Sequence, residues 1–133
     1  MIGSIQTDPI EVEDPFRDRG HDIGAVVTFL GVVRDKESSK ELKHLFYEAD
    51  ETLASEEMNK VLDEAIKKYS LIDAIAIHRI GIINPGEISL FVAVCSMHRK
   101  ESFEACSFIV DSIKERLPIW KKDHFIDGSE SWH

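Results

Sequence analysis

The sequence has few cysteines and few basic residues, and each shortage excludes a class of protein. Two cysteines, Cys95 and Cys106, stand among 133 residues. That is too few for a disulfide framework, and with the six histidines scattered, no zinc-ligand spacing is present. We therefore expect no metal site and two buried thiols. The 16 lysines and arginines face 25 acidic residues, a net charge of −9, which argues against general nucleic-acid binding.

Long apolar runs are also missing. No stretch approaches the ~18–20 residues that a membrane-spanning helix needs, and the first residues lack the basic start and apolar core of a signal peptide. We therefore expect a cytoplasmic protein. The composition, 43% hydrophobic and 31% charged, is ordinary for a globular protein. The length fits a single domain over residues 1–133.

Hydrophobic periodicity predicts two long helices among several strands. Apolar residues at steps of three and four predict helices over 51–69 and from residue 99 or 100 to Pro118, the second one burying Phe103. Short β-branched or alternating stretches predict the strands, which we place at 2–6, 24–34, 44–49, 72–80, 87–96 and 119–126.

The order of these elements favours an α+β fold, a largely antiparallel sheet with two long helices on one face. Gly31, inside a buried strand, is expected to be a bulge or a point of close approach. The polar stretch 35–43 is expected to be an exposed loop, and Gly128 to turn the chain before its last residues.

Cations gather at the two ends of the second predicted helix, although the protein is acidic. His98 and Arg99 stand at its start, and Lys114 stands near its end, with Lys121 and Lys122 just beyond Pro118. Such a concentration indicates an anionic ligand. The two ends lie ~22 Å apart at the helical rise per residue. A shared site therefore requires either that the segment after Pro118 folds back or that a second subunit supplies one half.

Several separate motifs together resemble one known family. The residues with this resemblance are Phe29-Leu30-Gly31-Val32-Val33-Arg34, Tyr47-Glu48, His78-Arg79-Ile80-Gly81, Pro85-Gly86-Glu87, Ser96-Met97-His98-Arg99, Phe103-Glu104-Ala105, the run from Lys114 to Pro118, Trp120-Lys121-Lys122, and Gly128 with Trp132. In order and spacing they are similar to the large, catalytic subunit of molybdopterin synthase. The resemblance covers the chain from about Ile23 to Trp132.

The resemblance implies an α/β-hammerhead fold and a sulfur-transfer reaction. Members of the family convert cyclic pyranopterin monophosphate (precursor Z) into molybdopterin by building a dithiolene. The sulfur comes from the C-terminal Gly-Gly thiocarboxylate of a small ubiquitin-like partner, so no resident cofactor is expected. The family assembles as a central homodimer of large subunits, with one small subunit at each outer end, which makes a heterotetramer.

The resemblance also implies the site residues. Lys114 and Lys121 match catalytic positions, while substrate-binding positions are matched by Arg34, His98, Arg99 and Lys122. Arginine suits a phosphate because its planar fork donates two hydrogen bonds. As a hypothesis, Lys114 is the general acid/base or transient acyl acceptor, and Lys121 stabilises the oxyanion formed during sulfur transfer.

Two positions depart from the family pattern. Val32 stands where many members have lysine, which leaves only a backbone contact there. Asp123 replaces the commoner glutamate, and its shorter side chain is expected to weaken any role for that carboxylate.

Two other functions stay open at this point. One is a non-catalytic dimeric scaffold that binds a ubiquitin-like protein without turnover. The other is a small phosphate-ester or acyl hydrolase that uses His98, although no serine or cysteine nucleophile stands at motif spacing.

Overall fold

A computed structural model describes residues 1–18 and 20–133 of the chain, and within these residues nine strands and two helices alternate. The elements are β1 (Ile2–Gln6), β2 (Ala25–Val32), β3 (Lys36–Glu37), β4 (Lys40–Ala49), α1 (Glu51–Tyr69), β5 (Asp73–Arg79), β6 (Gly81–Ile83), β7 (Ile88–Ser96), α2 (Arg99–Arg116), β8 (Ile119–Phe125) and β9 (Glu130–Trp132).

The first sheet has four strands in the order β1-β5-β7-β2, and both of its faces are covered. Strand β1 runs parallel to β5, while β7 is antiparallel to both of its neighbours. Helices α1 and α2 pack on one face and form the main core with it. Ile10 and Phe16, from the segment after β1, cover the other face. Because both faces of this sheet are buried, the sequence of β7 is almost continuously apolar.

Helix α1 has local signals at both ends. The side chain of Asp50 accepts a hydrogen bond from the Leu53 amide at 3.2 Å, which caps the start. Ser70 ends the helix in the left-handed conformation, with φ of 53°. Met58 and Leu62, one turn apart, are fully buried against the first sheet.

Helix α2 begins and ends as predicted, but its buried face differs by one residue. The expectation that Phe103 is buried is wrong, because this side chain is 62% exposed. The core face instead contains Ser102, Cys106 and Ile109. Because successive residues of a helix are about 100° apart around its axis, Phe103, which follows Ser102, points away from this face. The hydroxyl of Ser102 lies 2.6 Å from that of Ser96 at the end of β7, which satisfies two buried polar groups.

The second sheet contains β3-β4-β8-β9, with β6 paired to β4. The prediction of a loop over 35–43 is wrong: residues 36–37 pair with 40–41 as a hairpin. Its turn consists of Ser38 and Ser39, both with positive φ, 51° and 69°. Serine is uncommon in this conformation, so the turn lacks the usual asparagine–glycine signal.

The predicted α+β class, largely antiparallel with two long helices on one face, is confirmed. The single sheet expected from the sequence divides into two. Strand β8 leaves the end of α2 at Pro118 and runs antiparallel to β4, so that the chain after the helix enters the second sheet. This junction brings the C-terminal end of α2 next to the second sheet.

Candidate active site

A cavity of about 590 Å³ lies where the two sheets meet the end of α2. Its lining comes from β2, β3, β4, β5, β7, α2 and β8, and from Val33, Arg34 and His133 beside these elements. Three of the predicted cations, Arg34, Lys114 and Lys121, line it together. The volume is typical of a small-molecule site.

Lys114 and Lys121 reach this cavity from either side of the helix–strand junction. Lys114 is exposed on the last turn of α2, one residue after the buried Ile113. Arg116 holds this turn against α1 through contacts of 2.6 Å with Glu57 and with Glu64. Successive side chains of β8 point to opposite faces of the sheet, so Lys121 points toward the cavity, on the same side as the buried Asp123.

Arg34 follows β2 immediately after an irregularity in the sheet. The pairing of β2 with β7 shifts register between Gly31 and Val32, which confirms the expected bulge. The Arg34 guanidinium is exposed, and its Nη2 lies 2.7 Å from Glu37 Oε2, which also lines the cavity. An anionic ligand of Arg34 therefore competes with this carboxylate.

Asp123 connects two potential cations of the cavity wall. Its side chain is fully buried, and Oδ1 lies 3.4 Å from Lys121 Nζ. The other oxygen, Oδ2, lies 2.6 Å from His133 Nε2. The weaker role expected for this shorter carboxylate stays a prediction, although the carboxylate lies within ion-pair distance of Lys121. A buried carboxylate needs such partners, and it restrains both of them.

The floor of the cavity contains three polar residues that were not among the predicted site residues: Tyr47, His78 and Ser89. Tyr47 contacts His78 edge to face, with 4.9 Å between ring centres. Burial raises the pKa of Tyr47, and its hydrogen bond with Ser89 acts in the opposite direction. Tyr47 and His78 belong to the motifs quoted above, and this was the one sequence signal that pointed to them.

His78 is a neutral histidine at pH 7. Its Nδ1 lies 2.7 Å from the carbonyl oxygen of Arg79, so Nδ1–H donates and Nε2 keeps its lone pair. Burial lowers the pKa of His78 to about 4, although the bond to Arg79 opposes this change. The floor therefore offers a hydrogen-bond acceptor and no charge.

The buried His78 predicts a loss of stability in mild acid. The unfolded chain binds a proton near pH 6.5, whereas the folded imidazole binds it only near its pKa of about 4. Stability is therefore full above pH 6.5 and falls by about 3 kcal/mol as the pH drops to 4. Urea unfolding between pH 7 and 4.5 measures this slope. In His78→Asn the free energy of unfolding should depend less on pH. In the control His21→Asn, at an exposed loop residue, the pH dependence should stay as in the wild type. An equal pH dependence in all three proteins would show that His78 does not cause it.

The other predicted residues do not line this cavity. His98 and Arg99 are exposed at the opposite end of α2, where His98 occupies the cap position without a side-chain capping bond. Lys122 alternates to the outer face of β8, where its Nζ lies 2.6 Å from Glu130 and 5.1 Å from the centre of the Trp132 ring. Within one chain, three of the six predicted residues thus line the same cavity. The segment after Pro118 does not bring the two ends of α2 together.

No cluster of histidine, cysteine and acidic side chains able to hold a metal occurs within residues 1–18 and 20–133. Both cysteines are buried, as predicted, and burial raises the pKa of Cys106 to about 11, which leaves its thiol unreactive. Neither helix in the described part of the chain is long and apolar enough to cross a membrane.

The fold and the cavity define a class of protein: an α+β domain with a cavity that is lined by two lysines and an arginine. The family model described as "MoaE protein" matches residues 5–116. The chain belongs to the MoaE family.

Relatives and solved structures agree with this assignment. The chain is 45% identical over 117 residues to a molybdopterin synthase catalytic subunit from Thermoplasma volcanium, covering 88% of this chain and 85% of that protein. The crystal structure of molybdopterin synthase from Staphylococcus aureus matches with a TM-score of 0.90 and 32% identity, over 98% of this chain and 95% of that one.

A more distant structure shares the fold. It is a complex of subunits 1 and 2 of the molybdopterin-converting factor from Helicobacter pylori, with a TM-score of 0.76 and 20% identity over 99% of this chain and 90% of that one.

Proposed function

We propose that this chain is the catalytic subunit of a cytoplasmic molybdopterin synthase, a sulfurtransferase that converts cyclic pyranopterin monophosphate into molybdopterin. The main support is the presence of Lys114, Lys121 and Arg34 in one cavity of a MoaE-family chain. The names of its relatives point to the same enzyme. The reaction needs no resident cofactor, because a partner protein supplies the sulfur.

The cavity has the chemistry that this reaction requires. Both reactants, a pterin phosphate and a thiocarboxylate, are anions, and the three cations offset their mutual repulsion. Arg34 binds the phosphate, displacing Glu37 from its guanidinium. Lys121, held by Asp123, stabilises the oxyanion that forms at the thiocarboxylate carbon.

Lys114 differs from Lys121 in its surroundings, which suits a different role. Its side chain is exposed on the last turn of α2 and lines the cavity. Among the residues that the structure describes, no carboxylate lies within ion-pair distance of Lys114, so its exposed amine can move toward the carbonyl of an incoming tail. We assign to Lys114 the role of general acid/base or transient acyl acceptor.

The partner is a small ubiquitin-like sulfur carrier that ends in Gly-Gly. The Helicobacter pylori structure, by its description, joins two subunits of a molybdopterin-converting factor. A glycine tail enters a narrow cavity at low steric cost, in an extended conformation. Because a dithiolene needs two sulfurs and each tail delivers one, the carrier must exchange while the intermediate stays bound.

His98, Arg99 and Lys122 enter this proposal through a homodimer within a heterotetramer. His98 and Arg99 are exposed and lie far from the cavity of their own chain. We propose that each cavity is completed by His98 and Arg99 of the second copy, which add anion-binding groups. Lys122 does not line the cavity. We propose that its positive charge attracts the anionic substrate toward the cavity entrance.

Reconstitution tests the function. The purified protein, incubated with precursor Z and thiocarboxylated carrier, should form molybdopterin, detected by oxidation to its fluorescent pterin derivative. Carrier that ends in an ordinary carboxylate is the control and should give no product. Carrier binding without product would favour the scaffold, and ester hydrolysis without carrier would favour the hydrolase.

A further inference from the structure

A histidine in the wall of the cavity has no role in the function proposed above. His133 lines the cavity, and its Nε2 lies 2.6 Å from Oδ2 of the fully buried Asp123. The carboxylate therefore occupies the Nε2 side of the ring. Nδ1 then becomes the nitrogen that can exchange a proton, and a side-chain exposure of 44% gives it access to water.

The main chain fixes the same residue a second time. The amide of His133 donates to the carbonyl oxygen of Lys121 at 2.8 Å, and the amide of Lys121 donates back at 3.5 Å. This pair of bonds places the imidazole directly across from Lys121. Both the backbone and the side chain of His133 are therefore oriented with respect to a proposed catalytic residue.

The surroundings of His133 are otherwise cationic or neutral, apart from two carboxylates. From β8 it faces Lys121 and Asp123, and the other elements that line the cavity contribute Arg34, Glu37, Lys114 and the neutral His78. Imidazole is the side chain that enzymes use most often as a general base. His133 is thus suited to accept a proton in this cavity.

We propose that His133 is the general base that releases the spent carrier. This inference rests on the proposed function. After sulfur attacks the substrate, a thioester joins the carrier's terminal carbonyl carbon to the substrate's sulfur. Water adds to that carbon while its proton moves to Nδ1 of His133. The carbon–sulfur bond then breaks, its electron pair stays on sulfur as a thiolate, and the carrier leaves as a carboxylic acid that ionises. No oxidant or reductant is required.

The test compares two histidines that are both paired with a carboxylate at the second sheet. His133→Ala removes the proposed base. His124→Ala is the matched control, because His124 lies on β8, contacts Glu130 at 3.3 Å and does not line the cavity. Single-turnover product formation from precursor Z and thiocarboxylated carrier is followed between pH 5.5 and 8.5, with and without added imidazole.

We expect His133→Ala to lower the rate at pH 7 about 100-fold, the low end of what a general base contributes. Its profile should lose the rise with pH that the wild type shows, KM should change little, and imidazole should restore part of the rate. His124→Ala should behave as the wild type. Asp123→Asn should lose the same rise, because a neutral amide no longer stabilises the imidazolium formed at His133.

Two results would overturn the assignment. One is a His133→Ala rate within two-fold of the wild type. The other is an equal loss at every pH, without rescue by imidazole, in a variant that keeps its melting temperature and its carrier affinity; that outcome would make His133 a structural residue. A wild-type protein that makes no product would reject the proposed function itself and this inference with it.

Discussion

Lys114→Ala is expected to reduce molybdopterin formation by at least 100-fold, with saturating thiocarboxylated carrier. The Lys114 amine is the proposed acid/base or acyl acceptor of sulfur transfer, and such a role is worth about 10²–10⁴-fold in rate. Because Lys114 is exposed on the last turn of α2, its truncation removes no buried contact. The melting temperature should therefore stay within a degree or two of the wild-type value.

Two further variants make this result specific. Lys114→Arg keeps the charge but not the nucleophilic amine, so its loss of activity would separate covalent or proton-transfer chemistry from simple attraction. Lys60→Ala, at an exposed lysine on α1, is the control for surface charge and should keep full activity. Turnover of Lys114→Ala near the wild-type rate would remove Lys114 from the mechanism.

Mixing two variants that are each impaired is expected to restore part of the activity. If each cavity takes Lys114 from one copy and Arg99 from the other, a heterodimer of Lys114→Ala and Arg99→Ala has one intact site and one doubly altered site. Random pairing then leaves about a quarter of all sites intact, by the two-fold symmetry of such a dimer. Arg99→Ala alone should weaken phosphate binding and raise KM strongly.

The measurement is product formation after the two variants are unfolded, mixed and refolded together, against each variant treated alone. Lys114→Ala mixed with Lys121→Ala is the control: the structure places both lysines in one cavity of one chain, so every site in a mixed dimer keeps one altered lysine and this pair should recover no activity. Failure of the Arg99 mixture, with recovery absent across mixing ratios, would show that Arg99 does not complete the cavity of a second copy.

The sequence predicted the elements of this fold better than their pairing. The period of α1 and the proline after α2 are local signals, and both helices lie where these signals placed them. The hairpin at 36–41 has no such signal, because Ser38 and Ser39 adopt positive φ without glycine or asparagine. Phe103 was misplaced since periodicity alone does not decide which side of a narrow stripe faces the core.

The cavity was predictable only in part, for a similar reason. Lys114 and Lys121 are near in sequence, and the intervening Pro118 forces a change of direction, so their proximity could be expected. The floor depends on the pairing of β4 with β6 and β8, which brings distant residues such as Tyr47 and His78 together. The contact of Asp123 with His133 depends on strand β9, which the sequence analysis treated as an end segment.

Helix α2 has 18 residues, with Lys114 at one end and His98 and Arg99 at the other. In the proposed dimer the last turn of α2 lines the cavity of its own chain, and the first turn lies at the cavity of the second copy. Helix α2, about 27 Å long, then connects the two cavities. Because the helix is one continuous element, a ligand that moves its last turn in one cavity also moves His98 and Arg99 at its start.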